Sequence, residues 1–455
     1  MKIDVIVAEI GSTTTVVNAF HGMKEENPLF LGQGVSATTV LEGDVTIGLN
    51  AAVEDLKRKL NISDLEILET FATSSAAGGL KMSVHGLVYD MTAKAAKEAA
   101  LGAGANVHLV TAGKLSDHDF KKIIALRPNI VLIAGGVDFG ESETAQSNAE
   151  KIARLELDIP VIYAGNIVNT EAIRDVFSHF HQENWLHTTE NVYPKIDCLN
   201  VEPTRRIIQE VFERHIIHAP GMEKVKQSID KNIIPTPGAV MLAAKLIQQE
   251  IGDLVVVDVG GATTDVHSVT NGTDATKKIL LSPEPFAKRT VEGDLGVYIN
   301  RQNIIDMIGM ETLAKDCNMT IDSLKNALDS FLPIPTGHQV RIVERLTLEA
   351  VQKALIRHAG RYVSLYATSG KSKVAEGKDL TGVSFLIGTG GALTRLRAAK
   401  EILEKVREDQ DGITLRPGRG AKILFDRDYI MASAGVLSIR YPKQALILLK
   451  KSLGL

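Results

Sequence analysis

One short pattern occurs twice in this chain and limits what it can fold into. Glu9-Ile10-Gly11-Ser12-Thr13-Thr14-Thr15 returns as Asp258-Val259-Gly260-Gly261-Ala262-Thr263-Thr264. Each copy follows an apolar, β-branched run, Val5-Ile6-Val7-Ala8 or Leu254-Val255-Val256-Val257. The first leads into another such run, Val16-Val17-Asn18-Ala19-Phe20. That is the signature of a strand, a glycine turn and a returning strand. A second pair follows in the same order, Leu132-Ile133-Ala134-Gly135-Gly136 and Ile387-Gly388-Thr389-Gly390-Gly391. The offsets are 249 residues (260 less 11) and 255 residues (390 less 135). Two ordered matches at nearly one offset predict two related halves, about 1–235 and 236–455. At 455 residues the chain is also too long for one core, since cores stop growing near ~250–300 residues.

Between these motifs, short β-branched runs alternate with longer helical stretches, which predicts an α/β fold. Leu49, Val53, Leu56 and Leu60 recur at helical spacing. Residues 91–101 are alanine-rich and helical, with Gly102 as terminator. Residues 107–180 read as repeated βα units on a parallel sheet. Pro194, Pro203, Pro220, Pro235 and Pro237 punctuate the next stretch and put a boundary near 235. Residues 300–365 read as mostly helical, broken by Pro333 and Pro335.

Composition excludes several function classes. The net charge of −4 is not the basic footprint of a nucleic-acid protein. An aromatic content of 5% leaves few stacking platforms for bases. Cys198 and Cys317 are the only cysteines, too few for a disulfide framework or a four-thiolate cluster in one chain. No apolar run reaches the ~18–20 residues of a membrane span. Met1-Lys2-Ile3-Asp4 has no signal-peptide pattern. The expected setting is a reducing cytoplasm.

The repeated hairpin is where chemistry is expected. Glycines let the backbone approach an anion, and successive N–H groups form an anion-binding concavity. Threonine hydroxyls add donors. An acid at the strand end suits hydrated Mg²⁺, which takes one or two carboxylates plus phosphate oxygens. Asp258, Gly260, Gly261, Ala262 and Thr263 form this set in the second copy, and Glu9, Gly11, Ser12, Thr13 and Thr14 in the first. A plain β-hairpin would use the same glycines; the recurrence favours phosphate. Two such turns facing across a cleft would clamp a nucleotide triphosphate. Gly388, Gly390 and Gly391, at the carboxyl end of a strand, leave room for a nucleoside, although a tight strand–helix turn reads the same way. Arg289 to Gly296 is polar and glycine-bearing, and serves either the cleft or a solvated loop. Gly370-Lys371-Ser372 is not a P-loop, because Leu365 stands where glycine is required.

These hairpins, with the later strand-Gly-Thr-Gly-Gly, resemble the actin-like ATPase superfamily. The resemblance implies two duplicated ribonuclease H-like halves around a nucleotide cleft, with an α/β insert at about 140–200 in the first half. It makes 9–15 the first phosphate motif, 258–264 the second, 387–392 the adenosine motif, and 132–136 the inter-domain connection of the first half. Thr-Ser-Ser-Ala-Ala-Gly-Gly-Leu at 73–80, Ala-Gly-Gly-Val-Asp-Phe-Gly at 134–140 and Asp-Val-Gly-Gly-Ala-Thr-Thr-Asp-Val-His at 258–267 narrow it further. With the first hairpin, they resemble the accessory proteins of glutamate (methylaspartate) mutase, the GlmL or "MutL" type, which is unrelated to mismatch-repair MutL.

That resemblance implies ATP and ADP as ligands with Mg²⁺, a weak ATPase, and an adenosylcobalamin-dependent mutase as protein client. The implied role is a reactivase that releases damaged cobalamin. It puts Mg²⁺ on Glu9 and Asp258, which are also the catalytic residues. The insert would meet the client, and copies of the chain could associate. The superfamily's first acid is usually Asp; Glu9 departs from this and suits a slow nucleotide switch. The rival reading is a small-molecule kinase of the same fold, with Asp265 or Asp294 as base. A filament-forming ATPase and an iron–sulfur activator of dehydratases rank behind it.

Overall fold

The computed structural model describes every residue except 1, 40–41, 76–80, 104, 216–221, 228, 230–232, 368–369 and 410. Part of the 73–80 motif, residues 76–80, therefore lies outside the described residues. The chain divides into two compact units. The first comprises Met1–Ala77, Ala219–Leu281 and Arg289–Leu455; the second comprises Gly78–His218 and Ser282–Lys288.

The first unit opens with β1 (Lys2–Ile10), β2 (Thr14–His21), β3 (Leu29–Ala37) and β4 (Glu66–Ser74). β1 pairs antiparallel with β2 and parallel with β4, so it is central, and the burial of the successive residues Val5, Ile6, Val7 and Ala8 shows that both its faces are covered. Its run is accordingly near-continuous and apolar, with Ile3, Val5, Val7 and Ile10 at most 1% exposed. A parallel partner needs a crossover, and the helix Val45–Leu60 supplies it. Asp44 caps its first turn by accepting from the Thr46 amide, and Asn61 closes it in the left-handed conformation.

The chain then leaves for the second unit. Its strands are β5 (Lys81–Gly86), β6 (Asn106–Ala112), β7 (Ile130–Ile133), β8 (Val161–Tyr163) and β9 (Leu186–Thr188). All pairs are parallel, in the order β6-β5-β7-β8-β9. Relative to its own first strand this is 2-1-3-4-5, the doubly wound order. The βα reading of 107–180 matches it. The unit nevertheless begins well before the insert bounds of 140–200 read from sequence. Its first strand carries Ser83 and His85, which break the apolar signal. Both are buried, and they satisfy each other: His85 Nε2 lies 3.1 Å from Ser83 Oγ, and Nδ1 lies 2.8 Å from Thr111 Oγ1. The segment 282–288 is anchored in the same unit. Glu284 bonds Lys94 at 2.6 Å and Lys288 at 2.8 Å, and Arg205 donates to the Ala287 carbonyl at 3.0 Å.

β10 (Ile233–Pro235) returns to the first sheet, beside β4. The order there is β10-β4-β1-β2-β3. The third sheet uses β11 (Leu254–Val259), β12 (Thr264–Val269) and β13 (Ala287–Glu292). A separate hairpin, β14 (Arg361–Ala367) with β15 (Gly370–Glu376), precedes β16 (Phe385–Thr389) and β17 (Lys422–Phe425). The third sheet has the order β13-β12-β11-β16-β17, the first sheet strand for strand.

The duplication predicted from the hairpins is therefore real, but its second motif pair is not. The counterpart of β16 is β4, because Glu9 pairs with Thr73 as Asp258 pairs with Thr389. Residues 132–136 instead end a strand of the other unit. A strand followed by Gly-Gly serves any βα turn, so the match carried no positional information.

The helices Thr236–Ile251 and Met431–Ser438 follow the last strand of each sheet. They pack on each other, and each also packs on the other half's sheet. A Cβ at Gly435 would overlap the Ala239 carbonyl, so the helices meet backbone to backbone. Asn18 Nδ2 donates to Ser433 Oγ at 2.9 Å across this junction. The second half's core lies between its sheet and the helix Gln339–His358, with Ile342, Leu346, Val351 and Leu355 against Val255, Val257 and Leu386. Pro333 and Pro335 fall in the non-helical stretch before that helix. Among the described residues, no helix is long and apolar enough to cross a membrane.

Candidate functional site

The two hairpin turns have the same backbone. Gly11 N donates to Thr14 O at 3.0 Å, and Gly260 N donates to Thr263 O at 2.9 Å. These two amides close their own turns rather than facing a ligand. Gly11 must be glycine, since a Cβ would stand 2.6 Å from Thr14 O. Ser12 Oγ donates to Ser75 O at 2.9 Å, and Thr38 Oγ1 donates to Gly11 O at 2.8 Å. Thr14 starts β2 opposite Ala37. In the second turn, Tyr298 N and Ile299 N donate to Gly261 O, and Asn300 Nδ2 donates to Ala262 O at 2.8 Å. Loop 295–300 thus fixes this turn through its carbonyls.

The turns meet. A Cβ on Gly261 would overlap Thr13 Oγ1, and that hydroxyl is buried with no hydrogen-bond partner among the described residues. The phosphate-type residues expected from sequence are therefore brought together, tip to tip, in one unit.

Behind the turns lies a cluster of acids. Glu9 stands one residue before the end of β1 and is buried; its Oε1 accepts from Tyr429 OH at 3.0 Å, while Oε2 has no partner among the described residues. Burial pushes its pKa up to about 7; the Tyr429 hydrogen bond opposes this, and the Asp426 charge adds to it. Asp258 ends β11 and is half-buried. Its pKa is pushed well up, by loss of solvation first and by the Asp265 and Glu9 charges next. Asp265 lies opposite Asp258 in the register and is paired with the buried Arg289 at 3.2 Å. Burial raises its pKa against that guanidinium.

Asp426 follows β17, fully buried. It accepts from Thr389 Oγ1 at 2.9 Å, Ser452 Oγ at 2.7 Å, Ile430 N at 3.0 Å and Met431 N at 2.8 Å. Burial raises its pKa in spite of these donors. Tyr429 stands in the left-handed region at φ 51°, with Arg395 over its ring at 5.5 Å.

The three glycines of the last motif have different places. Gly391 opens on empty space. Gly390, at φ +85°, packs against Asp258: a Cβ there would overlap Asp258 Oδ1 and stand 2.6 Å from Val259 N. Gly388 lies inside the sheet, where a Cβ would press Phe425 and Leu403 at 3.0–3.1 Å. Its space is filled by apolar side chains.

Sequence reasoning missed Asp426, Tyr429 and the Arg289–Asp265 pair as members of this cluster. Asp426 had a weak signal, an acid directly after the run Ile423-Leu424-Phe425. Tyr429 had none. The polar stretch 289–296 divides: Arg289 faces the site, whereas Glu292 and Asp294 are held by Arg357 at 2.8 and 2.6 Å.

Duplicated five-stranded sheets, each with an acid and a glycine turn closing its first hairpin, define an actin-like fold. Within that class the chain belongs to the MutL protein family. The model of the family described as "MutL protein" matches residues 5–453. "Protein MutL" of Clostridium tetanomorphum is 36% identical over 461 residues, covering 98% of both chains. Likeness to solved structures is distant. A nucleotide-free acetone carboxylase is 12% identical over 96% of this chain and 70% of its own, at TM-score 0.41. A nucleotide-free diol dehydratase-reactivating factor is 11% identical over 97% and 100%, at TM-score 0.39. Acidaminococcus fermentans (R)-2-hydroxyglutaryl-CoA dehydratase component A is 11% identical over 99% of each chain, at TM-score 0.33.

Proposed function

We propose that this chain is an ATP-binding, slowly hydrolysing accessory protein that releases damaged cobalamin from an adenosylcobalamin-dependent mutase. Its client in this reading is glutamate mutase or a related aminomutase. The observation that carries the nucleotide part is the buried carboxylate cluster behind two facing glycine turns. Glu9 Oε2 has no partner there among the described residues, and Asp258 is pushed toward its neutral form by loss of solvation first and by neighbouring acids next. Buried acids in excess of buried cations need either protons or a bound cation.

Mg²⁺ fits that need, with Glu9 and Asp258 as its protein carboxylates. Among the described residues, no group of three or more His, Cys, Asp or Glu is placed to hold a metal. Two carboxylates, water and phosphate oxygens suit Mg²⁺. When bound, it neutralises phosphate charge and orients the terminal phosphate.

The chain's own residues do the rest. Backbone amides of residues 12–13 and 261–262 bind the phosphates, and Thr13 Oγ1 supplies a hydroxyl. Tyr429 holds Glu9 by Oε1, leaving Oε2 to hold Mg²⁺ or to position the attacking water. Gly390 leaves Asp258 its place, and Gly391 faces the nucleoside. The halves close on ATP and loosen on ADP, as far as ATP binds the closed state better.

The kinase reading has less support. Asp294 is gripped by Arg357 through both oxygens and its pKa is lowered, a poor general base. Asp265 is buried against Arg289.

The test is ATP hydrolysis with Mg²⁺, alone and with a mutase inactivated by hydroxocobalamin. Mutase activity is then followed after fresh adenosylcobalamin is added. Recovery that needs ATP and is lost in Asp258→Ala is the expected result. No recovery with several such mutases would overturn the reading.

A further inference from the structure

The doubly wound unit carries a built apolar surface that the nucleotide chemistry does not use. Three loops leave the carboxyl ends of β7, β8 and β9. Because all the strands are parallel, these loops share one edge of the sheet. On them Phe139 is 85% exposed, Ile196 71%, Ile167 59% and Val168 56%. Single exposed apolar residues need no explanation, but a cluster on adjoining loops does.

The cluster is held rigidly. Asn166 Oδ1 accepts from Phe139 N at 3.0 Å and Val168 N at 3.1 Å, and its Nδ2 donates to Gly140 O at 3.2 Å. Asp138 Oδ1 accepts from Ile167 N at 3.0 Å and from Asn191 Nδ2 at 2.9 Å. Asp138 N donates to Pro194 O at 3.0 Å. Asn166 and Asn191 are themselves buried. This network fixes Phe139 at φ 61°, a backbone conformation that a phenylalanine seldom adopts. A loop backbone fixed in this way enters a contact with little further backbone ordering.

Charge selects the kind of partner. Around the apolar residues stand the exposed carboxylates of Glu141, Glu190 and Asp197, with Lys195 the one cation in these three loops. An acidic rim disfavours anionic lipid and nucleic acid. It also disfavours an isologous contact with a second copy, which would set acid against acid. It suits a protein whose own apolar patch is ringed by lysine and arginine.

We infer that this edge of the doubly wound unit is the docking surface for the client enzyme, through an apolar contact centred on Phe139 with a basic rim on the client. The inference rests on the client reading above and adds where the client lands.

Cys198 gives a reporter in the native chain: it is exposed beside Ile196, whereas Cys317 is buried. The probe is purified adenosylcobalamin-dependent glutamate mutase blocked with hydroxocobalamin. Its binding is expected to slow maleimide labelling of Cys198 several-fold. Phe139→Asp should weaken mutase binding at least about tenfold, the loss of a central aromatic anchor. Asp197→Lys should slow association, more so at low salt. Circular dichroism of each variant confirms that it is folded. If the mutase binds wild type but neither labelling nor Phe139→Asp responds, the client docks elsewhere: this inference fails and the proposed function stands. If the mutase does not bind at all, both fall. Self-association of the wild type that Phe139→Asp abolishes would assign the surface to a second copy instead.

Discussion

Replacing Glu9 by glutamine should make the protein less sensitive to alkaline pH. In the folded chain the Glu9 carboxyl has a pKa of about 7 against an ordinary 4.5. A carboxyl raised on folding favours the folded state below its unfolded pKa. That advantage is lost as pH rises from 4.5 to 7, because the unfolded chain ionises first. The full shift of 2.5 units (7 less 4.5) corresponds to about 3 kcal/mol. Of this, about 1 kcal/mol has gone by pH 5.5 and nearly all by pH 8. Glu9→Gln keeps an oxygen for Tyr429 and removes the ionisation. Between pH 5.5 and 8 the variant should therefore lose about 2 kcal/mol less stability than the wild type. Removing the Glu9 charge also relieves Asp258, in the same direction. The assay is urea unfolding of both proteins at pH 5.5, 6.5, 7.5 and 8 without nucleotide or Mg²⁺. Equal pH slopes, or a variant less stable than wild type at pH 8, would refute the reasoning. Saturating MgATP should narrow the difference at pH 8 by stabilising the ionised wild type.

Tyr429→Phe removes the hydroxyl that donates to Glu9, so Glu9 should titrate higher still. Without nucleotide or Mg²⁺, the loss of stability with rising pH should therefore extend to higher pH than in the wild type, by roughly one unit, read from urea unfolding between pH 5.5 and 9. Gly390→Ala forces a Cβ into Asp258 and Val259 at φ +85°. Left-handed strain and overpacking together predict a loss of about 2–5 kcal/mol, measured by thermal and urea unfolding.

The legible part of the site was local. In both hairpins the acid, the glycines and the threonines are consecutive, so strand, turn and chemistry lie in one window. The cluster behind them was not legible. Tyr429 reaches Glu9 across 420 residues of chain. Asp426 reaches Thr389 across 37, and Thr389 pairs in turn with Asp258. Tyr429 has no special neighbours in sequence, and Thr389 sits in a glycine motif that says nothing of Asp426; their roles arise only when β16 and β17 line up beside β11. Gly388 and Gly390 show the converse. The two glycines are separated by one residue in one motif, yet one is packed under Phe425 and the other makes room for a carboxylate.

The doubly wound unit divides in the same way. Its βα repeats were readable because their strands are apolar runs bounded by turns. Its first strand was hidden because His85 and Ser83 are buried as hydrogen-bonded partners. That pairing depends on Thr111 from the neighbouring strand.

The sequence by itself thus determined the hairpins, the duplication they imply and the family, since each rests on residues close together along the chain. Tertiary structure alone decided which strand answers β16, which acids gather around Glu9, and where Phe139 is presented. Those depend on pairing, burial and desolvation between residues tens to hundreds of positions apart, and no local pattern carries that information.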